Sequence, residues 1–267
     1  KRIDRGQALK TVAILSRKGG TGKTTTAVTM AHGLAMRGYR TLLIDLDPQG
    51  NTGDCLGLEA GNDLFPLLTP GAKIPLEKGV VQARERLDVI RSDKGTSVLK
   101  VMVSAMEMRE FVLDNLLKGH GYDVVLLDVA PSVDVLMHAA IVASHYLLIP
   151  TRLDQLSIKG IRELVESLES LKRITTCQVG AILPCFYDRT TKESYKQLRT
   201  LVDAFRQLVW TPIPQDTACR VSSRLGKTLW EYAPKTRAIV GYPDRNTTIG
   251  GYKQALEMFE KNLIRRK

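Results

Sequence analysis

The sequence predicts an α/β protein with a mostly parallel sheet that carries helices on both faces. Short apolar runs alternate with helix-like patterns along the chain, which is typical of successive βα units. Several of these runs are apolar nearly throughout, as expected for strands that helices cover on both sides. A glycine-rich segment separates the first run from the first helix pattern, where a phosphate-binding loop lies in many such folds.

The elements follow in order along the chain. The predicted strands are Thr11–Leu15, Thr41–Ile44, Leu87–Ile90, Val124–Leu127, Tyr146–Ile149, Val179–Leu183 and Val209–Ile213. The predicted helices are Lys23–Met36, Val133–Ala143, Ile158–Leu171 and Glu193–Leu208. The stretch Gly61–Gly79 contains three prolines and predicts an irregular surface segment. No repeat or linker interrupts the pattern, so we expect a single domain over residues 1–267.

Composition excludes several classes of protein. Four scattered cysteines form neither a CxxC pair nor a Cys/His cluster, so a disulfide framework and a zinc site are not predicted. No apolar stretch is long enough to span a bilayer, and the polar start does not look like a signal peptide. We therefore expect a cytoplasmic protein with reduced thiols.

The positive charge is unevenly distributed. The net charge is +11, and the segment from Arg220 to Lys267 holds eleven Lys or Arg against four Asp or Glu. This segment therefore carries most of the excess. Such a concentration favours a face that binds a polyanion, whereas a general lysine-rich surface is the simpler alternative.

The segment after the first strand has the pattern of a phosphate-binding loop. Glycines let successive backbone N–H groups converge on phosphate oxygens, and the following helix adds its positive end. In this arrangement Lys23 reaches the β- and γ-phosphates and the Thr24 hydroxyl binds Mg²⁺. A simple glycine turn does not account for the Gly-Lys-Thr that follows it. The predicted nucleotide-binding residues of this loop are Lys18, Gly19, Gly20, Thr21, Gly22, Lys23, Thr24 and Thr25.

Three carboxylates follow predicted strands. Asp45 and Asp47 stand two residues apart and share one face of an extended segment. Asp128 follows the apolar run Val124–Leu127, a position from which an aspartate usually holds Mg²⁺ through water. Carboxyl ends of parallel strands are where such sheets bind ligands. A turn with Asp45 as its cap explains one of the first two aspartates but not both.

The motif Lys-Gly-Gly-Thr-Gly-Lys-Thr-Thr resembles the deviant Walker class of P-loop ATPases, which includes ParA-type partition ATPases, MinD and the nitrogenase iron protein. The resemblance implies that Lys18 contacts the nucleotide of a partner subunit, whereas otherwise it is a solvated lysine. It further implies that Asp47 activates water and that Asp45 supports the Mg²⁺ shell and couples to Lys18. Ala130 and Ser132 depart from the usual Asp-x-Pro-Pro, which implies that the second switch moves or signals differently.

The resemblance extends over most of the chain. The segment Ile182–Ser194 looks like the ParA strand end near adenine, and within it Arg189 is a candidate phosphate-facing residue. The Ile-Pro turn that contains Pro214 resembles the ParA turn whose backbone contacts the base; an ordinary proline at a strand end is the alternative. The stripe Arg220, Arg224, Lys227 has helical spacing and suits contacts to DNA phosphates, with a solvated helix face as the alternative.

The other members of the class fit less well. The nitrogenase protein needs a cysteine after its second switch, and Val129–Val142 contains none. MinD needs an amphipathic membrane helix. We expect the last helix pattern here to pack in the core instead, so membrane binding is the second hypothesis. A dethiobiotin-synthetase-like ligase is the third. The resemblance favours a cytoplasmic, nucleoid-associated ATPase that uses ATP and Mg²⁺, forms a homodimer with ATP, binds DNA non-specifically and responds to a ParB-like partner.

Overall fold

The computed structural model describes residues 10–244 and 247–264. Within them lies a seven-stranded sheet with the order β3-β4-β2-β5-β1-β6-β7, in which β3 alone is antiparallel to its neighbour. This arrangement confirms the predicted mostly parallel α/β fold. The sheet strands are β1 Lys10–Ile14, β2 Thr41–Asp45, β3 Val81–Arg84, β4 Leu87–Ile90, β5 Val124–Asp128, β6 Tyr146–Arg152 and β7 Gln178–Cys185.

Helices connect the strands and extend beyond the last one. They are α1 Lys23–Met36, α2 Asn51–Cys55, α3 Leu64–Leu68, α4 Thr96–Ser104, α5 Val112–Leu116, α6 Val135–Ala143, α7 Gln155–Ser170, α8 Lys192–Phe205, α9 Ala218–Arg224, α10 Leu229–Tyr232, α11 Arg237–Val240 and α12 Gly251–Phe259. A small antiparallel hairpin joins β8 Tyr242–Asp244 to β9 Thr247–Ile249. Among these described helices, none is both long and apolar enough to cross a membrane.

The sheet separates two hydrophobic cores. Along β1 the side chains alternate, so Ala13 packs in one core while Val12 and Ile14 pack in the other. The first core contains α6 and α7, and the second contains α1 and α12. Helices therefore cover both faces, which is why β1, β2 and β5 are buried nearly throughout.

Three sequence predictions need correction. Val209–Ile213 forms no regular strand, because Pro212 lacks an N–H and a short 3₁₀ turn at Arg206–Leu208 precedes it. Isolated bridges and single backbone hydrogen bonds join it to β7, such as the one from the Trp210 amide to the Ile182 carbonyl at 2.9 Å. The half-exposed, polar β3 was not predicted. The stretch Gly61–Gly79 is only partly irregular, since it forms α3 and a 3₁₀ turn at Leu76–Lys78. Its leucines are buried in the first core: Leu64, Leu67, Leu68 and Leu76.

The C-terminal helix packs in the second core. Tyr252, Leu256 and Phe259 of α12 are at most 2% exposed, and Leu263, in the π-helical turn that follows, is 1% exposed. The Tyr252 hydroxyl also lies 3.0 Å from the Thr26 hydroxyl of α1. These apolar side chains are therefore not free to enter a bilayer. The basic residues beyond them, Arg265, Arg266 and Lys267, lie outside the described residues.

Two glycines fix α2 against α9. Gly226 has a φ of +63°, and a Cβ added to it would lie 2.5 Å from the Cα of Gly57. The Arg84 guanidinium of β3 donates to the carbonyls of Leu56 and Gly226 at 3.1 and 3.2 Å. The backbones of the two helix ends can approach this closely only because neither carries a side chain.

This close approach yields a stability prediction. Gly226→Ala should lower the free energy of unfolding by roughly 2–4 kcal/mol, because it adds a clash to the cost of a left-handed alanine. Gly119→Ala is the matched control: Gly119 has a φ of +76° with nothing within 4 Å of the added Cβ, so only the backbone cost of about 1–2 kcal/mol remains. Urea unfolding measures the free energy of unfolding of both variants. Equal destabilisation of the two variants would contradict the proposed steric clash.

Candidate nucleotide-binding site

The loop between β1 and α1 leaves a helix N-terminus open to a ligand. Gly20 and Gly22 have φ values of +67° and +90°, and Gly22 directly precedes the helix. No side chain caps the start of α1, and no acidic residue lies in its first turn. The partial positive charge of the helix end is therefore not compensated by a cap or by an acidic residue of α1 itself, which suits an anionic ligand.

Lys23 is the first residue of α1 and is only 7% exposed. Its ammonium donates to the Lys18 carbonyl at 3.4 Å. Burial lowers the pKa of Lys23, while the carboxylates of Asp128 and Asp47 oppose that shift. Both acidic groups therefore act on the same ammonium, so the loop lysine and the carboxylates belong to one site.

Two buried carboxylates face this loop from the sheet. Asp45 and Asp128 are register partners on the adjacent strands β2 and β5, and both are at most 1% exposed. Burial raises the pKa of Asp45 well above its usual range, and the Asp128 charge raises it further. Burial also raises the pKa of Asp128 to about 6, although Thr24 and Lys23 oppose the shift. The pair is thus placed where a cation is needed to stabilise two negative charges.

Hydrogen bonds satisfy most of these carboxylate oxygens. Asp45 accepts from the backbone amides of Asp47 at 2.9 Å and Thr52 at 3.2 Å. The Thr52 hydroxyl donates to Asp128 Oδ2 at 3.1 Å. Asp128 Oδ1 is buried and has no hydrogen-bond partner among the described residues. An unpaired carboxylate oxygen beside a second carboxylate and the Thr24 hydroxyl fits the oxygen ligands of Mg²⁺.

The chain alone supplies few metal ligands. No group of three or more His, Cys, Asp or Glu side chains suited to a metal occurs among the residues that the structure describes. Mg²⁺ commonly binds through one or two carboxylates together with waters and substrate phosphates. The donor set of Thr24, Asp45 and Asp128 therefore fits a metal that arrives with a phosphate ligand.

Asp47 lies two residues beyond the end of β2 and is partly exposed. Its Oδ1 accepts from the Gln49 amide at 3.0 Å, and its carbonyl accepts from the Ser92 hydroxyl at 2.9 Å. The backbone is therefore held in place, while within the described part of the chain no donor is bonded to Oδ2. That oxygen can accept a hydrogen bond from water.

Lys18 contacts its own chain in this structure. Its ammonium lies 2.7 Å from Asp154 Oδ2. Asp154 also caps α7 by accepting from the Ser157 amide at 3.0 Å. Although partial burial opposes it, hydrogen bonds from Lys18 and Ser157 lower the pKa of Asp154. Sequence reasoning missed Asp154, although an Asp-x-x-Ser pattern before a helix is a recognisable cap signal.

An open cleft of about 890 Å³ adjoins the loop. Thr24 and Thr25 line one side of it, and Phe186 lines it from the end of β7. Phe186 has a φ of +59°, which is rare for an aromatic residue, and the Arg152 guanidinium lies 4.6 Å from its ring centroid. A volume of this size is in the range of clefts that hold nucleotide-sized ligands. Phe186 was missed from the sequence because strained backbone leaves no residue pattern.

The predicted basic stripe is only partly helical. Arg220 and Arg224 lie on α9, but the helix ends at Arg224 and Gly226 turns the chain, so Lys227 does not continue the helical face. The prediction of one three-residue helical stripe was therefore wrong. All three side chains are exposed, and the two arginines line the same cleft as Thr24.

The remaining predicted residues lie near the end of β7. Pro214 is buried and forms an isolated bridge with Tyr187, whose carbonyl accepts from the Gln215 amide at 2.9 Å. Arg189 is exposed, and its guanidinium stacks on Tyr242 with 4.8 Å to the ring centroid. Its cation is therefore already engaged by an aromatic ring.

Comparison with known proteins agrees with this geometry. The family described as "AAA domain" matches residues 9–179. The chromosome-partitioning ATPase Soj of Thermus thermophilus is 30% identical over 239 residues, which cover 88% of this chain and 92% of Soj. The chain belongs to the ParA-type partition ATPases.

Solved structures extend the comparison of this ParA-type chain. A Cyanothece McdA variant in complex with ATP superposes with a TM-score of 0.81 at 24% identity, covering 98% of this chain and 99% of McdA, which shows a shared fold. Cobyrinic acid a,c-diamide synthase from Mycobacterium smegmatis with bound ADP and magnesium superposes with a TM-score of 0.71 at 25% identity. The match covers 82% of this chain and 92% of the synthase. The fold is thus shared with proteins that differ in their named activities.

Proposed function

We propose that this partition ATPase dimerises with ATP, binds DNA without sequence preference and releases it after hydrolysis. The observation that carries the proposal is one cluster: Lys23 and Thr24 at an uncapped helix start, opposite the buried pair Asp45 and Asp128. The chain is an ATPase that uses ATP and Mg²⁺, as its family membership implies. The energy of hydrolysis then drives the partition or positioning of a plasmid, chromosome region or large cargo.

Different residues bind different parts of the nucleotide. The loop from Lys18 to Thr25 holds the phosphates, with Lys23 on the β- and γ-phosphates. Thr24, Asp45 and Asp128 hold Mg²⁺, which when bound neutralises charge that develops on the phosphates. The adenosine lies in the cleft beside Thr25, with the backbone at Pro214 near the base. Asp47 orients the attacking water and accepts its proton.

The first test concerns Asp47. Asp47→Ala should leave ATP affinity within about twofold of the wild type and lower turnover at least about 100-fold, because only general-base assistance is removed. Lys23→Ala should instead weaken ATP binding itself. Isothermal titration and phosphate release separate the two effects. Wild-type turnover by Asp47→Ala would remove the role given to Asp47.

Lys18 is proposed to act in the partner subunit. To do so it must exchange its ion pair with Asp154 for the nucleotide bound across the dimer. Both side chains of this ion pair are partly exposed, and pairs of that kind contribute little to stability. A triphosphate has more negative charge than one carboxylate, so ATP can compete for the ammonium.

The second test separates the ion pair of Lys18 from its proposed role across the dimer. Lys18→Ala should bind ATP yet fail to form the ATP-dependent dimer in light scattering. Asp154→Ala removes the same ion pair but keeps the ammonium, so its dimer should form normally with ATP. If neither variant dimerises, the ion pair within the subunit is what matters, and the trans role is wrong.

DNA binding is proposed for the exposed cations Arg189, Arg220, Arg224 and Lys227. The basic C-terminal segment supports it, and contacts to backbone phosphates would give binding without sequence readout. A dimer presents each cation twice, so ATP should raise apparent affinity through bivalency while ADP should not. A ParB-like or cargo adaptor protein is the proposed stimulator of hydrolysis.

The third test is a salt titration of duplex binding. Arg224→Ala should weaken binding to unrelated duplexes equally and lower the log–log salt slope by about one for each phosphate that is no longer neutralised. Lys94→Ala, an exposed cation beyond β4, is the matched control. Because Arg224 also lines the cleft beside Thr24, ATP affinity is measured for each variant. Absence of any duplex binding with ATP at low salt would exclude DNA and favour a membrane-cycling ATPase.

A further inference from the structure

We propose that the groove between α7 and α8 binds an acidic peptide segment of a partner protein. The groove has a volume of about 370 Å³, which is within the range of clefts that hold specific ligands. It shares no lining residue with the cleft beside Thr24. Its lining residues are Gln155, Ile158, Lys159, Arg162, Lys196, Gln197 and Thr200.

The charge of the groove has one sign. Lys159 and Arg162 stand one turn apart on α7, and Lys196 faces them from α8. No Asp or Glu lines the groove. Within the described residues Arg162 and Lys196 form no ion pair, and Lys159 has only an exposed 4.0 Å contact with Glu163. The three cations are therefore available to an anionic ligand.

Two carboxylates on these helices, Glu163 and Glu193, contact residues of the groove lining. Glu163 is held by Arg17 at 3.3 Å, on the side of the phosphate loop. Glu193 accepts from the Gln197 side-chain amide at 2.6 Å. That bond also holds Gln197 in place. Gln197 is 7% exposed and forms part of the floor of the groove. The three cations of the lining therefore exceed the two carboxylates that contact lining residues, and Glu163 is shared with Arg17.

The shape favours a peptide over a nucleic acid duplex. The floor contains the half-buried Ile158 and the buried Gln197, and it is recessed between two helices. The convex surface of a duplex would contact the helix ridges and leave the floor open. A peptide can place Glu side chains between the walls, with carboxylates against the cations and methylene groups against Ile158.

The groove adjoins the ion pair that Lys18 must leave in the proposed dimerisation. Gln155 lines the groove and directly follows Asp154, whose carboxylate holds Lys18. A segment seated there ends within one helical turn of that ion pair. Binding to the groove itself needs neither nucleotide nor DNA, so the proposal stands independently of the DNA-binding function.

The experiment measures fluorescence anisotropy of a labelled twelve-residue peptide containing four Glu, at low salt and without nucleotide. The same peptide with Gln in place of Glu is the neutral control. We expect saturable, salt-sensitive binding of the Glu peptide only. Arg162→Ala/Lys196→Ala should weaken it about tenfold, because two charge-assisted hydrogen-bond donors are removed. The control variant Lys73→Ala/Lys94→Ala removes the same amount of charge at exposed positions near the opposite edge of the sheet. It should change the affinity for the Glu peptide less than about twofold.

A charge reversal completes the test. Arg162→Glu/Lys196→Glu should no longer bind the Glu peptide and should gain affinity for a matching Lys peptide, and circular dichroism confirms that each variant is folded. Photo-crosslinking from the peptide should label α7 and α8. Equal weakening in both double-alanine variants overturns the proposal, as does failure of the Glu peptide to bind the wild type. A short DNA duplex that displaces the peptide and depends on Arg162 and Lys196 would assign the groove to nucleic acid instead.

Discussion

Asp45 and Asp128 lie side by side, buried, at the carboxyl ends of neighbouring strands, and the rest of the site depends on this pair. Two carboxylates in low-dielectric surroundings cannot both ionise at low cost. The buried ammonium of Lys23 and the hydrogen bonds from Thr52 compensate only in part, since one oxygen of Asp128 stays unpaired within the described chain. The protein thus keeps an arrangement that costs stability until a cation binds, which is a common feature of functional sites.

The same constraint explains the arrangement of the surrounding elements. Asp45 is fixed by two backbone amides, and one of them belongs to Thr52 at the start of α2. The other end of α2 is held against α9 by the close approach of Gly57 and Gly226. The carboxylate pair and one wall of the cleft are therefore joined through a single short helix. Static contacts therefore run without a break from Asp45 through α2 to the helix that carries the exposed arginines, α9.

Much of the fold was predictable from the sequence, for physical reasons that particular elements show. Helix α1 was predicted with its observed bounds, because the glycine loop marks its start. The central strands have apolar middles and were recognised within a few residues. Val209–Ile213 has a similar apolar appearance, but its prolines interrupt the pairing, so only single backbone hydrogen bonds and isolated bridges join it to β7. Strand β3 is too polar to be recognised. Interactions between residues distant in sequence, such as Lys18 with Asp154 and Thr52 with Asp128, depend on the fold and leave no local pattern.

The arginines of α9 show why position in the fold changes the meaning of a charge pattern. From spacing alone Arg220, Arg224 and Lys227 form one stripe suited to phosphates of DNA. In the structure two of them border the cleft beside Thr24 and Thr25, whereas the third follows the end of the helix. A cation at the edge of a nucleotide cleft can respond to the phosphates within it as well as to a polyanion outside. If both interactions are made, DNA affinity and nucleotide state are linked through the same guanidinium groups, and by reciprocity DNA must then alter nucleotide affinity to the same extent.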